Sequence, residues 1–420
     1  MFFFYRKLIK LLFPILILIV YFRKFLKKED PIRYKEKILK LNHIKNEEEL
    51  IWFHGSSIGE FLSIVPIIQY YIKKNSKLKI LISSSTLSSG ELIKEKFKNN
   101  INIIHCYFPL DLPHLAENFL NTWNPSSIGF VDSEIWPNFL WEIKKRNIPL
   151  ALINARITDK TFKKWNLFSK FSKKIFSSFD LCVASSKDSA SKLNKLGANN
   201  IKFFGNLKYI SNQKIDDKLH GYNFDLLKQK KVWCAASTHS GEEIFCINVH
   251  KIIKKDHNNL LTIIIPRHIN RIQSIYSECK KHNLSAQILN KTDKIRNDVD
   301  IVLVNAFGEL PKYYNYCKSI FMGKSLLKKL NLVGGQNPIE PAKYDCKIYF
   351  GPYVYNFLEV YEYLQENNMA SQINNVQDLS SSISRDLNNQ KKINIANIEK
   401  INSFGEKILR STIKELDAIF

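Results

Sequence analysis

The sequence contains no Cys-x-x-Cys pair, although seven cysteines are scattered over its 420 residues. An odd number of widely spaced cysteines argues against a disulfide framework or a zinc site and indicates core thiols in a reducing compartment. A Gly-x-Gly-x-x-Gly string is also missing, so the dinucleotide-binding fingerprint is absent. Gly323-Lys324-Ser325 has the ending of a phosphate-binding P-loop, but Lys318 stands where that motif requires its first glycine.

Acidic residues are scarce relative to basic ones: 39 Asp and Glu stand against 63 Lys and Arg, which gives a net charge of +24 and a pI near 9.5. This excess favours a polyanionic partner such as nucleic acid, an acidic membrane surface or a phosphorylated substrate. A nucleic-acid-binding chain needs basic residues interleaved with exposed aromatic residues, or a recognisable module, and the sequence shows neither. The apolar fraction of 45% and the length predict a largely globular chain of two or three domains.

A long apolar run, residues 11–22, lies near the N-terminus. No small-residue cleavage site follows it, which argues against a cleaved signal peptide. We predict a membrane anchor over residues 1–28, either a signal-anchor helix or an interfacial helix, with the body of the protein on the cytoplasmic side; the alternative is a buried core helix. The basic residues that flank the run would bind anionic headgroups. They are Arg6, Lys7, Lys10, Arg23, Lys24, Lys27 and Lys28.

Apolar runs alternate with amphipathic stretches along the rest of the chain, a pattern that predicts repeated βα units and parallel sheets. Predicted strands in the first half cover residues 50–53, 78–82, 101–107, 127–131, 150–153, 181–184 and 201–204. Those in the second half cover residues 232–236, 261–265, 301–304, 319–322 and 348–350.

The polar stretch 211–231 interrupts this rhythm and is predicted to be a linker. It divides the chain into a first domain over residues 29–210 and a second over residues 232–420, each a doubly wound α/β domain. Ligands of such domains bind at the carboxyl ends of the strands, so we expect the site in a cleft between the two domains.

A loop of sequence HGSSIGE, residues 54–60, directly follows the first predicted strand. Its small residues allow close approach of a substrate, the next helix directs N–H groups towards an anion, and Glu60 is placed to act as a general base. The alternative interpretation is structural, because Ser57 and Glu60 have the spacing of a capping box.

Further charged residues follow other strands of the first half. Asp132 and Glu134 come after the strand at 127–131, Arg156 after the strand at 150–153, and Lys208 after the last strand. Two carboxylates at a strand end are costly unless they are paired or functional. A structural role explains each of these residues when it is considered alone. Taken together, however, all of them fall at the same edge of the predicted sheet.

Two loops of the second half combine hydroxyl and basic groups. The STHSGEE loop, residues 237–243, offers a helix N-terminus for a phosphate, or alternatively a capping box between Ser240 and Glu243. In the PRH string, residues 266–268, Arg267 can bind a phosphate in a bidentate manner or form a surface ion pair.

A third loop, GGQNPIEP at residues 334–341, is too specific to be explained by capping alone. Its paired glycines permit close backbone approach, and Asn337 is predicted to cap a helix that has Pro338 at its first position. Glu340 would serve as a cap or bind a ribose diol. The FGEL string at residues 307–310 also follows a strand.

As a set, these motifs resemble the Kdo transferases, which move 3-deoxy-D-manno-octulosonic acid (Kdo) from CMP-Kdo to the lipid A precursor, lipid IVA, in Gram-negative lipopolysaccharide core biosynthesis. The resemblance implies an α/β fold of GT-B architecture, with two Rossmann-like domains facing a cleft and an N-terminal anchor in the inner membrane. It implies no metal and no cofactor beyond the donor substrate. The strings that carry it are HGSSIGE, FPLDLP, DSEIWPN, NAR, GNLK, STHSGEE, PRH, FGEL, GGQNPIEP and GPYVYNF.

By resemblance, Glu60 is the catalytic base of an inverting displacement, and Asp132 and Lys208 stabilise the transition state. The residues that match the CMP-binding loops are Pro266, Arg267, Phe307, Gly308, Glu309, Asn337, Pro338, Ile339 and Glu340. The chain departs from the family pattern where Asp132 replaces a usual Glu, Phe307 a usual Met and Gln336 a usual His, and residues 325–333 lengthen a glycine-rich loop.

Two other interpretations stay open at this point. One is a different GT-B enzyme of sugar nucleotides, either another glycosyltransferase or an epimerase; the predicted anchor and the HGSSIGE loop argue against a soluble epimerase. The other is a basic, membrane-tethered nucleic-acid-binding protein, for which the sequence shows no module.

Overall fold

The computed structural model describes residues 2–39, 48–210, 222–291, 293–306, 309–331, 333–389 and 393–420. The chain forms two compact units. Unit 1 comprises Met1–Asn212 together with Gly405–Phe420, and unit 2 comprises Gln213–Phe404.

Unit 1 is built on a parallel sheet of seven strands in the order β3-β2-β1-β4-β5-β6-β7. The strands are β1 (Leu50–His54), β2 (Lys79–Ser84), β3 (Ile103–Tyr107), β4 (Ser127–Val131), β5 (Leu150–Ala155), β6 (Leu181–Ala184) and β7 (Ile201–Phe203). Because helices cover both faces of such a sheet, its central strands are buried throughout and read as continuous apolar runs. Every residue of β1 and β4 is buried.

The helices of unit 1 before its last segment are α1 (Phe2–Leu11), α2 (Phe13–Phe25), α3 (Ile58–Lys74), α4 (Leu87–Lys96), α5 (Pro113–Trp123), α6 (Pro137–Lys145), α7 (Asp159–Asn166), α8 (Ser169–Phe176) and α9 (Lys187–Leu196). Trp52 of β1 is fully buried at the centre of the core, with ring contacts to Phe108, Phe119, Phe130 and Phe139.

The apolar N-terminal run, predicted as one anchor helix, forms the two helices α1 and α2. Pro14 lies in the first turn of α2 and has no N–H to donate to the preceding turn, which accounts for the interruption at Leu12. Across the described ranges, no helix combines the length and the apolar character needed to cross a bilayer. Val20 of α2 packs with Tyr34 and Ile38, while many neighbouring apolar side chains stay exposed.

Unit 2 contains a second parallel sheet, in the order β10-β11-β9-β8-β12-β13-β14. Its strands are β8 (Lys231–Thr238), β9 (Leu260–Pro266), β10 (Ala286–Leu289), β11 (Ile301–Val304), β12 (Ser319–Met322), β13 (Lys347–Phe350) and β14 (Ala370–Gln372). The remaining helices are α10 (Tyr222–Gln229), α11 (Glu242–Ile253), α12 (Ile272–Lys281), α13 (Leu310–Tyr314), α14 (Ile339–Lys343), α15 (Leu358–Glu366), α16 (Val376–Leu387) and α17 (Ile395–Asp417). The predicted α/β class with parallel sheets is therefore confirmed.

The last segment of the chain differs from the sequence prediction, which assigns residues 232–420 to the second domain. Gly405–Phe420, most of it in α17, groups with unit 1 instead. The hydroxyl of Tyr70 donates to Asp417 over 2.7 Å, and the ring of Phe420 packs on Phe53 and Tyr71 at centroid distances of 6.3 and 6.0 Å. The predicted linker at residues 211–231 also differs from the structure, because its residues 222–229 form helix α10.

Candidate active site

Glu60 lies in the first turn of α3, immediately after β1. The structure contains the capping box that the sequence allowed: Glu60 N–H donates to the Ser57 hydroxyl over 3.4 Å, and Ser57 N–H donates to Glu60 Oε2 over 3.3 Å. Ser56 N–H also donates to Oε2 over 2.6 Å, and the Ser57 hydroxyl donates to Oε1 over 2.8 Å. Capping is thus one role of Glu60.

The capping bonds do not use all the hydrogen-bond acceptor positions of the Glu60 carboxylate. An ionised carboxylate has about four acceptor positions. Two of the three bonds go to Oε2, so Oε1 keeps an acceptor position beyond the bond from Ser57. Burial, followed by repulsion from Glu134 and Asp132, raises the pKa of Glu60 even though Ser57 and Ser56 donate hydrogen bonds to it. A carboxyl group with a raised pKa and a vacant acceptor position is suited to take a proton near neutral pH.

Asp132 and Lys208 form an ion pair, with 2.9 Å between Lys208 Nζ and Asp132 Oδ2. Asp132 follows β4 with a positive φ of 63°, a left-handed conformation in which its N–H donates to Ile153 O and its C=O accepts from Arg156 N–H. Lys208 follows β7, and its loop is tied to β5 because Leu207 N–H donates to Asn154 Oδ1 over 2.9 Å. Unit 1 therefore brings together all three residues predicted to be catalytic.

Two further strings of the sequence are joined in unit 1. Asp111, the acidic residue of FPLDLP, accepts hydrogen bonds from Asn138 N–H and Phe139 N–H, each at 3.1 Å to Oδ1, at the N-terminus of α6. Tyr5 of α1 donates its hydroxyl hydrogen to Asp111 Oδ2 over 2.8 Å. These residues fix the helix that follows the DSEIWPN loop, so their contribution is structural.

In unit 2, the STHSGEE loop is held by a carboxylate of the protein itself. Glu242 is fully buried and accepts hydrogen bonds from the N–H groups of His239, Lys324, Ser325 and Leu326, over 2.7–3.1 Å. The predicted capping box between Ser240 and Glu243 is wrong, because Gly241 is the N-cap of α11 and Glu243 pairs with both terminal nitrogens of Arg271 at 2.9 and 3.0 Å.

Gly323, which resembled part of a P-loop, instead permits close approach of two loops. A Cβ at this position would lie 2.6 Å from both Ser237 O and Thr238 Cα. Ser237 itself has a φ of 56°. The Gly323-Lys324-Ser325 string therefore serves the contact with the STHSGEE loop.

The other predicted donor-binding residues of unit 2 lie after β9, β11 and β12. Pro266 ends β9, and Arg267 is exposed with its N–H bonded to Thr238 O. Glu309 pairs with Lys312 at 2.5 Å. The carboxyl ends of these parallel strands meet at one edge of the sheet. Phe307 and Gly308 lie outside the described residues.

The GGQNPIEP loop begins its helix one residue later than predicted. Pro338 is the N-cap of α14, and Asn337 accepts the N–H of Ile339 over 3.1 Å. Ile339 is buried. Burial raises the pKa of Glu340, an effect that Lys343 partly opposes.

All seven cysteines are free and buried, as the sequence predicts. Within the ranges that the structure describes, no group of three or more His, Cys, Asp or Glu side chains is arranged to hold a metal ion.

Comparison with known proteins identifies a family. A family model for 3-deoxy-D-manno-octulosonic-acid transferase (kdotransferase) matches residues 32–211. A 3-deoxy-D-manno-octulosonic acid transferase of Rickettsia bellii is 29% identical over 98% of this chain and 97% of its own length. The enzyme of the same name from Rickettsia felis is 31% identical over 79% of this chain and 70% of its own length.

Solved structures show the same fold at low identity. UDP-GlcNAc 2-epimerase from Neisseria meningitidis superposes with a TM-score of 0.54, with 12% sequence identity, over 87% of this chain and 100% of that chain. At this identity the similarity shows the fold, with two parallel-sheet α/β domains, and says nothing about the reaction.

Proposed function

Since this chain belongs to the Kdo transferase family and is a glycosyltransferase, we propose that it transfers Kdo from CMP-Kdo to the lipid A precursor lipid IVA with inversion at the anomeric carbon. The observation that carries this mechanism is the carboxylate of Glu60, held after β1 with a raised pKa and a vacant acceptor position beside Asp132.

The reaction is a single displacement. Glu60 accepts the proton of an acceptor sugar hydroxyl while that oxygen forms a bond to the anomeric carbon of Kdo. The bond from the anomeric carbon to the phosphate oxygen breaks, and CMP leaves with the electron pair. No covalent enzyme intermediate is required, because the leaving group is already a stabilised anion.

Charge stabilisation is the second requirement. The Asp132–Lys208 pair fixes one ammonium group at the edge of the sheet of unit 1 where Glu60 lies. In unit 2, the proposed donor-binding residues are Pro266, Arg267, Phe307, Gly308, Glu309, Asn337, Pro338, Ile339 and Glu340. Arg267 is exposed and free to bind a phosphate, and Glu340 is suited to a ribose hydroxyl.

The test is a transfer assay with purified protein, CMP-Kdo and tetraacylated lipid A precursor, read by mass spectrometry of the lipid. We expect lipid products heavier by Kdo residues, and the number of added residues will be read from the same spectrum. The proposal fails if CMP-Kdo binds but no lipid gains Kdo, because the acceptor or donor must then be a different one.

We place the protein at the cytoplasmic face of the bacterial inner membrane, attached by its N-terminal helices. Phe3, Phe4, Leu11, Leu18 and Phe25 of these helices and the turn between them are 67–82% exposed. Such an apolar surface on a soluble protein is a marker of a membrane or protein contact. Lysines accompany it at Lys7, Lys10, Lys24, Lys27 and Lys28, which matches the composition of helices that lie in an anionic interface.

Replacement of Phe3, Phe4 and Phe25 together by Ser should weaken binding to vesicles containing anionic lipid by about tenfold or more for each side chain, because burying each Phe contributes roughly 1.5–3 kcal/mol. Co-flotation with vesicles measures this binding. Ile101→Ser is the matched control, since Ile101 of unit 1 is 88% exposed outside the N-terminal helices. Equal binding of the triple variant and the wild type would contradict the proposal.

A further inference from the structure

We propose that Glu134 and His54 form a positioning pair for Glu60, in which Glu134 holds His54 at the start of the loop that orients the base and places a negative charge in the surroundings of the base. The inference rests on the proposed function, because it assumes that Glu60 is the base. It assigns a role to two residues of the HGSSIGE and DSEIWPN strings that do not themselves take the proton.

The contact between the two side chains is direct. His54 ends β1 and is fully buried, and its Nε2 lies 3.0 Å from Glu134 Oε2. Trp136 Nε1–H donates to the same oxygen over 2.7 Å. The imidazole ring stacks on Phe108 at a centroid distance of 3.8 Å, which fixes the plane of the ring.

The other side of the ring faces Ser83, with His54 Nδ1 at 3.2 Å from the backbone O and 2.9 Å from Oγ. Ser83 Oγ accepts the indole N–H of Trp52 over 2.8 Å, so its own hydroxyl hydrogen is available for His54 Nδ1 at 2.9 Å. Because the ionised carboxylate of Glu134 can only accept, Nε2 carries a hydrogen and donates it to Oε2, in the neutral ring and in the protonated ring. The donors are thus Trp52, Ser83 and His54 in that order, and Glu134 is the final acceptor.

Ser56, two residues after His54, connects the pair with Glu60. Its backbone N–H donates to Glu60 Oε2 over 2.6 Å. Burial acts to raise the pKa of Glu134, but the bonds from His54 and Trp136 hold it below its ordinary value. Glu134 therefore stays ionised and, through His54, holds the start of the loop whose Ser56 N–H orients the base.

The same charge acts on Glu60 directly. After burial, Glu134 is the largest source of repulsion that raises the pKa of Glu60, and Asp132 acts in the same direction. The ionisable groups around this cluster are His54 from β1, Asp132 and Glu134 from the loop after β4, and Lys208, which is paired with Asp132. Removal of the negative charge of Glu134 should lower the pKa of Glu60.

The first test is the pH profile of kcat/KM for Kdo transfer by Glu134→Gln, which keeps the shape of the side chain and removes its charge. We expect kcat to fall on the order of 10-fold to 100-fold, with little change in KM for CMP-Kdo, because the base is misplaced and less basic. The acidic limb of the profile should move towards lower pH by roughly half a unit or more. An acidic limb that stays in place would overturn the inference.

Two variants separate positioning from general damage to the fold. Glu134→Asp retains the charge and should keep the acidic limb of the wild type. Asp111→Asn removes another buried carboxylate of unit 1, one that caps α6, and it should lower thermal stability without moving the limb. If Asp111→Asn moves the limb as far as Glu134→Gln does, the effect is not specific to the pair and the inference is wrong.

A stability cycle tests the pair independently of any transfer activity. The unfolding midpoints of Glu60→Gln, Glu134→Gln and the double variant are compared with the wild type at pH 7.5 and near pH 4. Repulsion between the two carboxylates predicts a double-variant shift that differs from the sum of the single shifts at pH 7.5, with a smaller difference near pH 4. Additive shifts at both pH values would mean that Glu134 does not act on Glu60, and the inference would be wrong. Absence of Kdo transfer by the wild type would overturn only the proposed function.

Discussion

Glu60→Gln is expected to lower the rate of Kdo transfer by about 10²–10⁴-fold, the range that a positioned general base contributes. The substitution replaces an oxygen that can accept a proton by an amide that cannot. It retains an oxygen that accepts the N–H groups of Ser56 and Ser57, which donate to Oε2 in the structure. Glutamine is as suitable as glutamate at this position of a capping box.

This property makes Glu60→Gln a sharper probe than Glu60→Ala, which removes base and cap together. We expect the Gln variant to unfold at a temperature no lower than that of the wild type and to bind CMP equally well, so that only the chemical step is lost. The Ala variant should also lose stability, by roughly 0.5–2 kcal/mol for a missing cap. Full activity of the Gln variant would mean that Glu60 is a helix cap only and that the base lies elsewhere.

Glu242→Ala is expected to lower the free energy of unfolding of unit 2 by about 4 kcal/mol, since four buried or half-buried N–H groups lose their acceptor at about 1 kcal/mol or more each. These groups belong to His239, Lys324, Ser325 and Leu326. Urea unfolding gives the stability, and hydrogen exchange of residues 324–326 locates the effect. CMP binding should weaken as well, because the loop after β12 would lose its connection to α11.

Glu278→Ala provides the matched control for this stability effect. Glu278 lies on α12 and pairs with Lys281 at 3.0 Å on the surface, where the Lys281 side chain is 70% exposed. Exposed pairs of this kind contribute about 0–1 kcal/mol. Comparable losses from Glu242→Ala and Glu278→Ala would contradict the role assigned to Glu242.

Most of the fold could be predicted because buried parallel strands leave a direct signal in the sequence. All twelve predicted strands are present, and those at 127–131, 181–184, 301–304 and 319–322 have the predicted bounds. The two strands that were not predicted, β10 and β14, lie at the two edges of the sheet of unit 2. An edge strand has a neighbour on one side only and is shorter and more polar, so its apolar run is too weak to stand out.

The candidate site could be predicted less completely. The positions of Glu60, Asp132 and Lys208 after their strands, and the capping box of Glu60 with Ser57, can be read from the sequence, but the partners of the other carboxylates come from distant parts of the chain. Neither the pairing of Glu243 with Arg271 nor the contact of Glu134 with His54 has a local sequence signature. The same limitation applies to the STHSGEE loop, because the bonds by which Glu242 holds residues 324–326 have no local sequence signature.

The grouping of Gly405–Phe420 with unit 1 has a consequence for how the protein folds during synthesis. Translation proceeds from the N-terminus, and domains generally fold in the order in which they emerge from the ribosome. Unit 1 begins first, yet the partner of Tyr70 and the ring that packs on Phe53 are made only after all of unit 2. The half that carries Glu60 therefore starts to fold first and reaches its complete set of contacts last.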